Sequence, residues 1–193
     1  MKIVMLQATI AAALIGAAAP AAAQNVPSAL IAVVDLERVT AQCNACKTAN
    51  AALQGQANAL RARQKALATP LETEGKALQA AVTALGSKAP DAALQARIQA
   101  FQTKQQQGAQ ELTRQEQQIQ RNQSYIQQQI ATKLGPIYQQ VMTRRGANVM
   151  LEIGSTLASG ASLDVSNDLL ASLNTALPSI QTTAPAAATP QGR

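Results

Sequence analysis

Histidine and tryptophan are absent from this 193-residue chain, which has one phenylalanine and two tyrosines. The absence of histidine excludes catalytic triads and most acid–base machinery. The sequence has no glycine-rich phosphate loop and no metal-spaced cluster, so it predicts neither a cofactor nor a metal. So few aromatic side chains also argue against nucleic acid as a partner. The apolar fraction of 47% is mostly alanine, which indicates one small core and long helix or disorder elsewhere.

The N-terminus has the pattern of a secretory signal peptide. A positive start at Lys2 is followed by an almost wholly apolar stretch, residues 3–15, and by an A-x-A site that ends at Ala23. The apolar stretch is shorter than the roughly 20 residues that a membrane-spanning helix needs. We therefore expect residues 1–23 to be removed after Ala23 and the mature chain to be exported.

The middle of the chain carries a seven-residue apolar repeat in two blocks. In residues 41–85 the repeat positions are Leu53, Leu60, Leu67, Leu71, Leu78 and Leu85. In residues 91–145 they are Leu94, Phe101 and Gly108, with Ile98, Gln105, Leu112, Ile119 and Ile126. A repeat of this length predicts a coiled-coil seam. Residues 86–91 predict a reversal between two helices, and Pro70 predicts a kink in the first.

Short segments on either side of this repeat have the character of strands. Residues 31–34 (IAVV) predict a strand buried on both faces, and residues 148–153 (NVMLEI) predict a strand with one buried face. The buried face would consist of Val149, Leu151 and Ile153. We expect another short strand near residues 156–158. Ser166 is predicted to cap a last helix, whose Leu169, Leu170, Leu173 and Leu177 share one face.

These segments predict an α+β fold in which a long antiparallel helical coiled-coil hairpin is inserted in a small β-body. We define the body as residues 24–46 and 138–180, the arm as residues 47–137, and the tail as residues 181–193, which we expect to be disordered. The body has few large side chains, so we expect it to oligomerise. The candidate oligomer contacts are Ile31, Val33, Val149, Leu151, Ile153, Leu169 and Leu173.

The arm is basic and rich in glutamine. Residues 47–133 carry 11 Lys/Arg and five acidic residues, and glutamine occupies 15 of the 35 positions from Gln95 to Gln129. One-signed charge indicates an anionic or mixed-charge partner, although it also fits a merely solvated helix face. A glutamine face offers donors and acceptors without fixed charge, which suits loose binding of many partners.

The sequence CNAC, from Cys43 to Cys46, is the sharpest chemical signal in the chain. A C-x-x-C pair at a helix start could be a redox pair, but no thioredoxin-like βαβ pattern surrounds it. Two cysteines are also too few for a zinc site. A local disulfide in an oxidising compartment and two small apolar residues on one face both remain open.

The order of these segments resembles the Skp/OmpH family of periplasmic chaperones. The resemblance is carried by "IAVVDLERV" before the hairpin and by "NVMLEI" and "LDVSNDLLASLN" after it, and it covers the mature chain except the tail. Its most specific parts are the VVD-x-ER-V opening and Asp164-Val165-Ser166. The Cys43/Cys46 pair, Pro70 and the tail depart from the family pattern.

The resemblance implies a homotrimer in the periplasm whose basic arms hold unfolded outer-membrane proteins in a cavity without ATP and deliver them for outer-membrane assembly. It also implies contact of the arms with lipopolysaccharide or an anionic membrane surface. The candidate binding residues, chosen by location and charge, are Arg61, Arg63, Lys65, Lys76, Lys88, Arg97, Lys104, Arg114 and Arg121. Two alternatives are a structural envelope coiled-coil tether and, with less support, a thiol oxidoreductase that uses Cys43 and Cys46.

Overall fold

The computed structural model describes residues 27–185, so the predicted signal peptide and residues 186–193 of the tail lie outside the described range. Six main elements follow in order. They are β1 (Ile31–Val34), α1 (Leu36–Gln42), α2 (Asn44–Leu85), α3 (Ala92–Arg145), β2 (Val149–Glu152) and α4 (Ser166–Ala176). Short 3₁₀ turns at Ile153–Ser155 and Ala161–Leu163 connect β2 to α4.

The predicted hairpin is confirmed, with α2 of 42 residues and α3 of 54. Gly86 ends α2 at a φ of 58°, a conformation that glycine adopts without strain. Asp91 begins α3, and its carboxylate accepts a hydrogen bond of 2.8 Å from the Leu94 N–H. At 1.5 Å per residue, α2 alone is about 60 Å long. The α2 helix continues through Pro70.

The α+β fold class is also confirmed, because the strands on either side of the hairpin pair with each other. β1 and β2 form a parallel two-stranded sheet in which Ile31 lies opposite Val149 and Val34 lies opposite Glu152. Parallel strands need a crossover connection. Here the crossover is the whole hairpin together with α1. A single parallel bridge from Val33 to Asp164 covers the other edge of β1.

The body core forms where α4 lies against α1, α3 and the sheet. Leu169 and Leu173 of α4 are 0% exposed and belong to one cluster with Val39 of α1 and Val141 of α3. The predicted apolar face of α4 is therefore confirmed, except that Leu170 is only partly buried. Leu169, Leu173 and Val33 are buried within their own chain, and their role as oligomer contacts stays a prediction.

Three local predictions in the second half of the body are wrong. They concern the buried face of β2, a strand near residues 156–158 and the cap of α4. In β2 it is Met150 that packs against the core, whereas Leu151 is 37% exposed and Ile153, in the following 3₁₀ turn, is 38% exposed. Residues 156–158 form no strand. The Ser166 hydroxyl does not cap α4, because it accepts the Asp35 N–H at 2.8 Å and donates to Asp164 at 2.5 Å.

The structure describes residues 181–185 of the tail, and the predicted disorder of residues 181–193 stays a prediction. Residues 181–185 leave the body and lie against the arm, where Gln129 and Asn122 of α3 hydrogen-bond to them. The tail is rich in small residues, which have little apolar surface to bury. Its described part is instead held by hydrogen bonds to its main-chain groups.

Candidate functional site

The arm has a seam only one side chain wide. Most of its leucines are half-buried, and small residues lie opposite large ones. A Cβ atom at Gly108 would lie 3.6 Å from Leu67, and one at Gly75 would lie 3.4 Å from Phe101. The two helices therefore approach closely with little apolar area between them, and both outer faces of the hairpin stay exposed to solvent.

Two ion pairs join α2 to α3 across this seam. The Arg63 guanidinium donates to both carboxylate oxygens of Glu111 at 2.7 and 2.9 Å, and Arg97 donates to Glu74 at 3.0 Å. The hydrogen bond from Arg63 is the main reason that the pKa of Glu111 is lowered from its ordinary value near 4.5. The positive charges of Arg63 and Arg97 are therefore offset within the arm.

The other basic candidates fall into two groups. Lys76 pairs with Glu72 at 2.6 Å one helical turn away, so its charge is also offset. No acidic residue within residues 27–185 pairs with the remaining candidates, all of which are exposed. These are Arg61, Lys65, Lys88, Lys104, Arg114 and Arg121. The ion pairs between α2 and α3 depend on how the two helices are aligned along each other. Heptad spacing does not predict that alignment for exposed side chains.

A hollow of about 420 Å³ lies halfway along the arm. Leu67, Pro70, Leu71 and Phe101 form its apolar floor, and the Arg63–Glu111 pair and Lys104 stand at its rim. Gly108 contributes no side chain here, so the seam is thin at this point.

A buried polar cluster lies nearer the base of the arm. Asn122 is 3% exposed, and its amide donates to Gln56 of α2 at 2.8 Å. Its oxygen accepts from Gln118 and from the Ala184 main-chain N–H, each at 2.8 Å. The cluster therefore ties α2, α3 and the tail together. Sequence reasoning missed it, although a lone Asn between Ile119 and Ile126 in a heptad block is a recognisable signal.

The body exposes several apolar side chains in and near its small sheet. Ile31 of β1 and Leu151 of β2 are exposed, as are Ile153 and Leu163 in the adjoining 3₁₀ turns. Leu157, between those turns, is fully exposed. Two strands with an open edge and an apolar rim are typical of a sheet that is completed by another chain.

The two motifs that carry the resemblance meet in the body. Asp164 accepts from the Ser166 N–H at 2.8 Å and from the Arg38 guanidinium at 2.6 Å. The Ser166 hydroxyl in turn holds the N–H of Asp35, which caps α1. The hydrogen bond from Ser166, followed by the charge of Arg38, lowers the pKa of Asp164 from 3.8. The opening "VVDLERV" and the later Asp-Val-Ser therefore form one hydrogen-bond network that joins β1, α1 and α4.

Cys43 and Cys46 form a disulfide at the corner between α1 and α2. Cys43 ends α1 and begins α2, and the two residues are 0% and 2% exposed within the body core. Thiol–disulfide exchange requires access to a sulfur atom. The burial of both sulfur atoms argues against exchange with a protein substrate.

Other kinds of site are not found in the described part of the chain. No helix within residues 27–185 is long and apolar enough to cross a membrane. The same residues hold no group of three or more His, Cys, Asp or Glu side chains that could bind a metal ion.

The fold and the arm define a class of protein in which a long helical hairpin is inserted in a small α+β body. Residues 30–173 match the family described as outer membrane protein (OmpH-like), and the chain therefore belongs to the OmpH-like family. No match was found among curated proteins.

A solved structure supports the fold independently. It comes from Caulobacter crescentus CB15 and belongs to a protein assigned provisionally as an OmpH-like outer membrane chaperone. The two structures superpose with a TM-score of 0.67 at 16% sequence identity, over 81% of this chain and 90% of the other. At this identity the similarity establishes the shared fold.

Proposed function

We propose that the protein is an ATP-independent periplasmic holdase chaperone that binds unfolded outer-membrane proteins. Membership of the OmpH-like family supports this class of function. The observation that carries the proposal is the exposed, one-signed charge of the arm, because six of the nine basic candidates have no ion pair within residues 27–185. A client with acidic segments would be attracted to these charges within a Debye length of about 8 Å.

The thin seam and polar faces of the arm also suit holding without nucleotide hydrolysis. Its seam is thin, its faces are polar, and many weak contacts let a client leave without an energy source. The same exposed charges fit lipopolysaccharide or an anionic membrane surface as a second partner. A structural tether would need a second binding end, whereas this hairpin returns to its own body through the pairing of β1 and β2.

We further propose that the body assembles as a homotrimer around the exposed apolar set Ile31, Leu151 and Ile153. Changing Leu151 and Ile153 to Asp should yield a monomer in sedimentation equilibrium, because a buried unpaired charge is costly. Val82→Asp is the matched control, since Val82 is an equally exposed apolar residue near the arm tip. A monomeric wild-type protein would contradict the trimer.

The holdase function is tested by diluting a urea-unfolded outer-membrane β-barrel protein into solutions of the mature chain and following light scattering. We expect suppression of aggregation that saturates near the trimer ratio and weakens at high salt. A triple change of Lys65, Lys104 and Arg114 to Gln should weaken suppression. The matched control removes the same net charge at Lys47, Lys133 and Arg144, exposed positions near the base. Absence of suppression by a folded wild-type protein would overturn the proposal.

A further inference from the structure

The described tail runs along the junction of α2 and α3 and has a bend at Thr183. Gln181 bonds to Gln129, and Ala184 bonds to Asn122, seven residues further toward the tip of the arm. Seven helical residues rise about 10 Å. The tail therefore follows α3 over about two turns of the helix.

Side chains of the arm bind this segment mainly through main-chain groups of the tail. The Gln129 amide donates to the Gln181 carbonyl at 2.9 Å and accepts the Gln181 N–H at 3.0 Å. Gln56 donates to the Thr182 carbonyl at 3.2 Å, and Asn122 accepts the Ala184 N–H at 2.8 Å. A side-chain amide has the same donor and acceptor as a peptide group. These contacts would therefore be available to almost any extended segment.

Side-chain contacts to the tail are few by comparison. The Tyr125 hydroxyl donates to the Gln181 side chain at 3.2 Å. Thr183 and Pro185 are exposed, and Ala184 has little side chain to recognise. The arm therefore binds the tail mostly through groups that every residue has, as expected of a site that binds many sequences.

The stripe of α3 that holds the tail continues toward the tip of the arm. Positions 118, 122, 125 and 129 are spaced three or four residues apart, and continuing that spacing gives 115, 111, 108, 104 and 101. The last four of these line the apolar hollow. On α2, Gln56 is followed seven residues later by Arg63 and then by Pro70, which also line it. The tail contacts and the hollow therefore lie along one face of the arm.

We propose that this face, which we call the amide stripe (Gln56, Gln118, Asn122 and Gln129, continuing to the hollow), is the binding site for extended segments of an unfolded client. The glutamines hold client peptide groups, the hollow accepts an apolar client side chain, and residues 181–185 are an internal ligand that the client displaces. This proposal rests on the proposed holdase function and names how its substrate is recognised.

Competition by the tail is tested in the full-length mature chain with Gln181→Pro and Ala184→Pro combined. Proline removes the two N–H groups that bond to Gln129 and Asn122 and leaves the amide stripe unchanged. Loss of these bonds should free the site and lower the dissociation constant for a reduced, carboxymethylated unfolded protein by about threefold to tenfold. Thr183→Pro is the matched control, because no described hydrogen bond uses the Thr183 N–H.

NMR relaxation of the Thr182 and Thr183 amides should report release of the tail in the double variant, because both residues keep an N–H group there. Unchanged or weaker client binding, with the tail released, would overturn the competition. If the tail were only a structural strap, release would lower thermal stability without raising affinity.

Recognition by amides is tested in the released background by adding Gln118→Ala and Gln129→Ala. Client affinity should fall by about threefold to tenfold, because Gln129 makes two main-chain hydrogen bonds to the tail and Gln118 donates to the Ala184 carbonyl at 3.4 Å. Gln106→Ala is the control, because Gln106 is exposed on the opposite side of α3. Equal affinity of the two variants would contradict recognition by the amide stripe.

A second probe separates this inference from the holdase function. A labelled peptide of residues 181–193 should bind the released variant more tightly than the wild-type protein, whether or not the protein suppresses aggregation of any barrel. Suppression by the wild type without peptide binding would refute the amide stripe and leave the holdase function intact. Peptide binding without suppression would do the opposite.

Discussion

In the body, Leu169 and Leu173 are completely buried among side chains from four elements, whereas in the arm most seam leucines keep part of their surface in water. The body is fastened by a disulfide and by the Asp164 cluster, and the arm by two exposed ion pairs and one buried Asn. Local stability follows the density of buried contacts. The buried contacts of the described residues are therefore denser in the body than in the arm, so we expect the body to be the more stable of the two.

The largest expected effect is a core truncation in the body. Leu169→Ala should lower the free energy of unfolding by about 2–5 kcal/mol, because a fully buried leucine leaves a cavity. Leu67→Ala in the arm should cost roughly half as much, since Leu67 is half-buried and lies beside a hollow. Urea unfolding measures both. Equal losses at the two positions would break the distinction between body and arm.

Removal of the disulfide comes next. Cys43→Ala with Cys46→Ala should lower stability by about 2 kcal/mol, because the closed loop is short and restrains the unfolded chain only modestly. Suppression of client aggregation should be retained at temperatures where the variant is folded. Loss of suppression from a folded variant would instead assign the sulfur atoms a role in function.

The Asp164 cluster predicts a pH dependence of the body. Asp164→Ala should cost about 1–3 kcal/mol at neutral pH, because it leaves the Ser166 and Arg38 donors without their acceptor. The folded-state pKa of Asp164 is lowered below 3.8. Its contribution is therefore present above the unfolded pKa and is lost as pH falls through the folded pKa. Thermal melts from pH 6 to pH 2 should show a smaller decline in the variant than in wild type.

The smallest effect concerns the arm. Arg63→Gln with Glu111→Gln should leave global stability almost unchanged, since exposed ion pairs contribute little and salt screens them. The pKa of Glu111 is lowered by Arg63, so the pair weakens only as pH falls below the ordinary value of 4.5. Hydrogen exchange near residues 63 and 111 should reveal local loosening. A large global loss would show that the arm is coupled to the body more tightly than its thin seam implies.

Periodicity predicted the arm well because a heptad is a local pattern. The reversal at residues 86–91 and the seam leucines followed from spacing and turn residues, whereas the parallel pairing of β1 with β2 was seen only in the structure. The exposed face of β2 was not predicted correctly, because alternation of apolar and polar residues does not show which face of a two-stranded sheet packs against the core. There Met150 packs against the body core, whereas Leu151 is exposed.

The candidate site was predicted in part. Charge and glutamine content identified the arm, and the nine basic residues were named by location alone. Their division into paired and unpaired charges required the register of α2 against α3, as in Arg63 with Glu111 across 48 residues. The tail composition predicted disorder. Composition alone does not show that main-chain groups of the tail hydrogen-bond to amide side chains of α3.

The sequence by itself determined the architecture and its basic, glutamine-rich arm, because helix period, turn chemistry and composition act over a few residues and need no partner. Only the tertiary structure decided which charges are offset, where Asn122 and Gln56 meet, and where residues 181–185 lie. The reason is physical. Each of those contacts joins groups far apart in the chain, and their distances are set by the packing of the whole hairpin against the body.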